Sequence, residues 1–330
     1  MSFKDVYGHE EVIEFFQNVI TNNNLSHSYV FDGLKGIGKK HFAINLSKAI
    51  FCKNNKVDAC DLCDQCRKIN HMNHLDFLII EPDGKSIKNE QMKDLQEFLS
   101  YKPNESKKKI VIIDNSNLMT ISAQNTLLKI LEEPPGYALI IFISQNANKL
   151  LKTIQSRCQI IRFNPLRNEV IQKYLINEKK LNLEEAEFIS NFSNGNFSKA
   201  YKAVEEKDFL DIRNQVIDYT NQLLLNKKIE CIQDIGIFEK YKKNIELVFD
   251  IMIGWIRDIL IVQTTNNYDI VINKDKIDII KKQAYRLVDR NLIDSIEKIE
   301  RTIKNIEMNV NFKLAIDYLV LEIIQVGGTS

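Results

Sequence analysis

Over residues 26–50 the chain passes from a short apolar strand through a glycine-rich turn into an amphipathic helix, an order that few folds accommodate. The turn reads Gly33-Leu34-Lys35-Gly36-Ile37-Gly38-Lys39-Lys40. Tyr29, Val30 and Phe31 supply the strand, and Phe42, Ala43, Leu46, Ala49 and Ile50 recur at helical spacing after the turn. Glycines let successive backbone N–H groups converge on one phosphate, at a helix N-terminus already biased toward anions. Gly33, Gly36, Gly38 and Lys39 are therefore candidate nucleotide-binding residues, with Lys39 reaching the outer phosphates. In a complete phosphate loop the next residue is a Ser or Thr whose hydroxyl holds magnesium. Here it is Lys40, so the loop is degenerate.

The 330 residues suffice for two or three hydrophobic cores. A formal net charge of +1 advertises no dedicated nucleic-acid surface on the chain as a whole, although partner subunits can supply one. The first residues, Met1-Ser2-Phe3-Lys4-Asp5, lack an apolar signal core, and runs such as 138–143 are too short to span a bilayer. A cytosolic location with no membrane partner is the expectation.

Four of the six cysteines crowd into residues 52–66, spaced Cys-x7-Cys-x2-Cys-x2-Cys. In a cytosolic chain such crowding favours a metal over disulfides. Cys52, Cys60, Cys63 and Cys66 can place four thiolates around one ion, a closed structural zinc site with no open position for a water nucleophile. His71 and His74 lie nearby as substitutes for one cysteine, or simply as two solvated histidines. Cys158 and Cys231 stand apart from the cluster.

Farther along, Lys107-Lys108-Lys109 leads into Ile110-Val111-Ile112-Ile113-Asp114. A basic run entering an apolar strand that ends in an acid is the Walker B pattern, whose acid lies beside the phosphate loop and holds magnesium. Asp114 joins the nucleotide-binding candidates, and the three lysines read as a solvated loop. A second acid activates water in hydrolytic relatives, but Asn115 stands in that place and cannot act as a base. Helical spacing over 10–20 and 122–133, and apolar strands at 77–80, 138–143 and 159–163, alternate along this part of the chain. Alternation of this kind predicts a parallel sheet covered on both faces.

Leu127-Leu128-Lys129-Ile130-Leu131-Glu132-Glu133-Pro134-Pro135, followed by Ser156-Arg157-Cys158, resembles the clamp-loader branch of the AAA+ ATPases. The segment Ser26-His27-Ser28-Tyr29-Val30-Phe31 is similar to the one leading into that family's phosphate loop. The inserted cysteines narrow the resemblance to bacterial DNA polymerase III clamp-loader subunits. Within these, the eroded loop and Walker B segment resemble the delta-prime type more than the hydrolysing gamma/tau type. The resemblance implies that Arg157 is an arginine finger, projecting to the ATP held by a neighbouring subunit. It also implies gamma/tau and delta subunits as partners, with the sliding clamp and primed DNA reached through the complex.

The resulting expectation is an AAA+ α/β domain over 1–165 carrying the four-cysteine zinc module at 52–66, a small helical lid over 166–206, and an all-α collar over 207–330. Lys199 stands where the family's lid carries a sensor arginine, or is a solvated lysine at a helix N-terminus. Residues 251–261 around Trp255 are apolar nearly all round, which predicts a central helix. Leu292, Ile293, Ile296, Ile299, Ile303 and Ile306 form one collar stripe, and Leu314, Tyr318, Leu321 and Ile324 another. The resemblance gives the collar an oligomerising role. The functional expectation is a largely non-catalytic clamp-loader subunit, with magnesium-bound ATP not hydrolysed by this chain. Its rivals are a self-sufficient gamma/tau-like ATPase and a nucleotide-binding module outside replication.

Overall fold

A computed structural model of the chain describes residues 2–55, 57–206, 208–225 and 235–326. Cys231, and Lys207 at the expected collar boundary, lie outside the described residues. Five parallel strands, β1 (Ser28–Asp32), β2 (Phe77–Ile80), β3 (Lys109–Ile113), β4 (Ala138–Ser144) and β5 (Gln159–Arg162), form one sheet in the order β2-β3-β4-β1-β5. The helices between them are α1 (Glu10–Thr21), α2 (Lys39–Phe51), α3 (Asp64–Asn70), α4 (Asn89–Ser100), α5 (Ile121–Glu132) and α6 (Lys152–Gln155), with α7 (Asn168–Asn177) following β5.

Strand alternation sorts the core into two layers. Tyr29, Phe31, Ile110, Ile112, Leu139 and Ile141 face one side, where Phe16, Phe42 and Leu46 pack on them. Val30, Val111, Ile113, Ile140 and Phe142 face the other, against Met92, Leu95, Leu127 and Leu131. Continuous apolar strands are what a sheet buried on both faces requires. The strands' carboxyl ends bring Gly33, Glu81, Asp114 and Gln145 to one edge, where ligands bind in open parallel sheets.

One lysine of the basic run departs from the expectation of a solvated loop. Lys109 opens β3 and is 3 % exposed, with Nζ donating to the Phe98 carbonyl at 2.6 Å and lying 4.3 Å from that ring's centroid. The pairing of β3 with β4 draws its backbone inward, and the long stem follows along apolar surface.

Contacts divide the chain into two compact units, Met1–Leu181 with Ser193–Ser198, and Asn182–Phe192 with Lys199–Ser330. The second contains α8 (Leu183–Ser193) up to Phe192, most of α9 (Phe197–Glu205), and then α10 (Phe209–Leu224), α11 (Gly236–Lys240), α12 (Ile245–Thr265), α13 (Ile277–Arg286), α14 (Asp289–Glu307) and α15 (Phe312–Val326). Trp255 of α12 is fully buried and donates to Asn221 Oδ1 at 2.7 Å, so this helix is central as its composition predicts.

The final helix is a correction. Its buried residues are Ala315, Ile316, Leu319, Val320, Ile323 and Ile324, whereas Leu314, Tyr318 and Leu321 are exposed. Ile293 of the preceding stripe is likewise 48 % exposed. A helix apolar on nearly every side gives periodicity no means of choosing the inward face.

Candidate functional site

The glycines of the loop meet distinct constraints. Gly33, Gly36 and Gly38 have φ of +154°, +82° and +99°. A Cβ on Gly33 would fall 2.3 Å from the Phe163 carbonyl oxygen, and one on Gly36 2.3 Å from Asn196 Oδ1; at Gly38 the space is open and the backbone angle alone selects glycine.

Every loop carbonyl from Gly33 to Ile37 accepts a hydrogen bond from the protein. Lys39 Nζ donates to Gly33 O at 2.5 Å and Leu34 O at 2.6 Å. Asn196 Nδ2 donates to Lys35 O at 3.0 Å, the Ser198 N–H to Gly36 O at 2.9 Å, and His9 Nε2 to Ile37 O at 2.9 Å. The loop is thus braced by α1's N-cap, by the start of α2 and by residues 196–198. Burial pushes the Lys39 ammonium down to about 8, with Asp32 and Asp114 pulling the other way.

Lys40 is turned toward the strand ends. Its Nζ lies 3.2 Å from Asp114 Oδ2 and donates to Glu81 Oε1. Partial burial works against the charge, but the Glu81 and Asp114 carboxylates overcome it and hold the ammonium above its ordinary pKa. Asp114 also accepts the Asn115 N–H at 2.9 Å. Asn115 has a φ of +50° and its amide oxygen faces Gln145 Nε2 at 3.5 Å. The structure therefore brings Lys39, Lys40 and Asp114 together, with an ammonium on the acid that would bind magnesium. Glu81 is the residue that sequence reasoning misses; its one signal is an acid directly after an apolar strand.

Arg157 sits elsewhere, between α6 and β5. Its backbone is tied to the core, because the buried Ser28 hydroxyl donates to the Arg157 carbonyl at 2.9 Å. The guanidinium donates to Thr153 O at 3.0 Å and to Glu132 Oε1 at 2.9 Å. Its side chain is 34 % exposed and that of Glu132 51 %, so the pair is a surface one. Burial pushes the adjacent Cys158 thiol up to about 11.

The four clustered cysteines converge. Cys52 caps the C-terminus of α2, Cys63 is the N-cap of α3, Cys66 lies within α3, and Cys60 is on the loop between. Their sulfurs lie within 4.8 Å of one another. A tetrahedral zinc thiolate site, with bonds near 2.3 Å, has sulfur–sulfur edges of roughly 3.8 Å. The donor set fits such an ion with a small contraction. The N–H groups of Cys63 and Leu62 bring the Cys60 thiol down to about 6, which favours the thiolate a metal needs. His74 is not a solvated alternative: it is 4 % exposed, stacked on Phe51 with ring centroids 4.4 Å apart, and accepts the Asp76 N–H at 3.0 Å. His71 is exposed.

Lys199 is not simply solvated either, because its Nζ pairs with Asp250 Oδ1 at 2.5 Å within the second unit. No described helix is long and apolar enough to cross a membrane.

The family and sequence comparisons point one way. Residues 8–167 match the family described as DNA polymerase III, delta subunit, and residues 207–325 its C-terminal family. The DNA polymerase III subunit delta' of Bacillus subtilis (strain 168) is 34 % identical over 313 residues, covering 94 % of either chain. The tau subunit of the same organism is 25 % identical over 99 % of this chain and 62 % of its own length. A gamma-subunit-related protein of known structure from Thermotoga maritima aligns over 96 % of this chain and 99 % of its own, at 18 % identity and a TM-score of 0.44.

Proposed function

The chain belongs to the delta-prime family of DNA polymerase III clamp-loader subunits, and on that footing we propose that it is a largely non-catalytic member of the ring. The observation that carries this reading is the Lys40 ammonium on Asp114 and Glu81. A magnesium ion at that place would supply charge relief to a nucleotide's outer phosphates. An ammonium there neutralises the carboxylates without offering coordination sites. With Asn115 in place of a water-activating acid, neither part of a hydrolytic centre remains.

The chemistry then lies with the neighbour. Arg157, its backbone anchored by Ser28, is the group offered as an arginine finger to ATP bound on an adjacent gamma/tau subunit. A planar guanidinium spreads its positive charge over the transferring phosphoryl oxygens. The Glu132 pair that holds it is exposed and worth no more than about 1 kcal/mol, so a phosphate can displace the carboxylate. In this reading the exposed Leu314, Tyr318 and Leu321 belong to a collar over 207–330 that joins gamma/tau and delta subunits, with the sliding clamp and primed DNA engaged through the assembled complex in the cytoplasm. The lid is assigned to 166–206, and the thiolate cluster holds a structural zinc.

Reconstitution tests the finger. Arg157→Ala leaves folding and assembly intact and lowers hydrolysis about a thousandfold at the single site it serves, with clamp loading falling in step. Unchanged hydrolysis by the mutant complex rejects the finger. Multiple turnover by the isolated wild-type chain with magnesium and ATP rejects the non-catalytic reading.

A further inference from the structure

Helix α2 buries a lysine. Lys48 is 1 % exposed and ranks among the largest fully buried side chains of the described residues. Asn45 and Phe51, three residues to either side of it on α2, share its face and are buried. An ammonium in such surroundings must be paired and hydrogen-bonded to be tolerated. Lys48 Nζ donates to Asp61 Oδ1 at 2.5 Å and to Asn70 Oδ1 at 3.0 Å, and Asn70 Nδ2 donates to the same Asp61 oxygen at 3.2 Å.

The chain positions of those partners give the contact its meaning. Asp61 lies between Cys60 and Cys63 and has a left-handed backbone with φ of +55°. Asn70 is the last residue of α3, which starts after Cys63 and contains Cys66. Lys48 itself is four residues before Cys52, on the helix that Cys52 caps. One ammonium is therefore bonded to the loop that presents Cys60 and Cys63 and to the helix that presents Cys66. It stands on the helix that presents Cys52.

We propose that Lys48 is the positioning residue of the thiolate centre, holding the elements that carry all four cysteines in register before a metal enters. The inference rests on reading that cluster as a zinc site. Four thiols on separate elements must otherwise be ordered by the metal itself, and that ordering subtracts from affinity. Outer partners that orient ligands in this way are worth roughly ten- to a hundredfold in metal affinity.

The test is zinc transfer from the full-length chain to a chromogenic chelator, with folding followed by circular dichroism. Lys48→Met and Asp61→Asn should each give up zinc at chelator concentrations about ten- to a hundredfold lower than wild type. Leu127→Ala, in the core layer on the opposite face of the sheet from α2, destabilises the same unit and should leave zinc affinity at the wild-type value. Wild-type zinc affinity in both folded variants overturns the proposal. Should Lys48→Met fail to fold, Asp61→Asn decides, since it keeps the side-chain shape and removes only the charge facing the ammonium. A wild-type chain that takes up no zinc overturns the metal reading itself, a result distinguishable from a wild type and variants that bind equally well.

Discussion

The two ends of α2 handle ions in opposite ways. At its N-terminus, Asp114 and Glu81 offer carboxylates that a divalent cation could use, and the protein supplies the counter-charge itself through Lys40. At its C-terminus, four cysteine sulfurs converge, and the nearby ammonium of Lys48 is committed to Asp61 and Asn70. The same residue type thus neutralises the carboxylates at one end and ties together the segments that carry the cysteines at the other. What differs is whether the ammonium contacts the candidate ion-binding groups themselves or side chains on the segments that carry them. Burial follows that division: Lys40 has a side chain 39 % exposed, and Lys48 one 1 % exposed.

Removing the metal end altogether should have the largest effect. Cys66→Ser takes out the one fully buried cysteine of the four, and metal content should fall from about one ion per chain toward zero. The same variant should melt on the order of 10 °C lower, because binding energy at a structural zinc site is folding energy. A metal-free Cys66→Ser chain that melts with wild type would break the comparison, since an ion at the C-terminal end would then contribute nothing to the fold.

A smaller and more informative change is made at the other end. Lys40→Ser replaces the ammonium with the hydroxyl that a complete phosphate loop carries, leaving Asp114 without its built-in cation. Nucleotide binding by that variant, followed by calorimetric titration, should become at least about tenfold tighter in magnesium than in EDTA. Wild type should show no such dependence. If the variant is equally indifferent to magnesium, charge occupancy by Lys40 is not what closes the site. The smallest effect belongs to Glu81→Gln. Lys40 keeps Asp114, the lost partner is exposed, and stability measured by urea denaturation should change by no more than about 1 kcal/mol.

Much of the first unit was legible in the residues. Strands and helices alternate where apolar periodicity places them, because a sheet buried on both faces needs continuous apolar strands and each crossover needs a helix. The glycine positions announced the loop for a similar reason: at φ of +82° and +99° a side chain is strained whatever surrounds it. The cysteine spacing announced the cluster, since Cys-x2-Cys pairs bring sulfurs together through local geometry. The legible signal stops at α15. There Leu314, Tyr318 and Leu321 look as suited to the core as Ile316 and Leu319, and only packing separates them. His74 and Lys109 defeat a reading from sequence because their polar residue types suggest solvation. Each is buried with its polar atoms hydrogen-bonded, a condition no composition reveals.

Sequence alone determined the order of elements, the degenerate loop, the acid that ends β3 and the four clustered cysteines. Each depends on neighbours within a few positions, through backbone angle or periodicity. Tertiary structure decided which charge answers which. Lys40 meets Glu81 across 41 positions, Arg157 meets Glu132 across 25, and the Ser28 hydroxyl reaches the Arg157 carbonyl across 129. A lysine's partner is fixed by where folding carries its ammonium, and two lysines eight positions apart on α2 are carried to opposite fates.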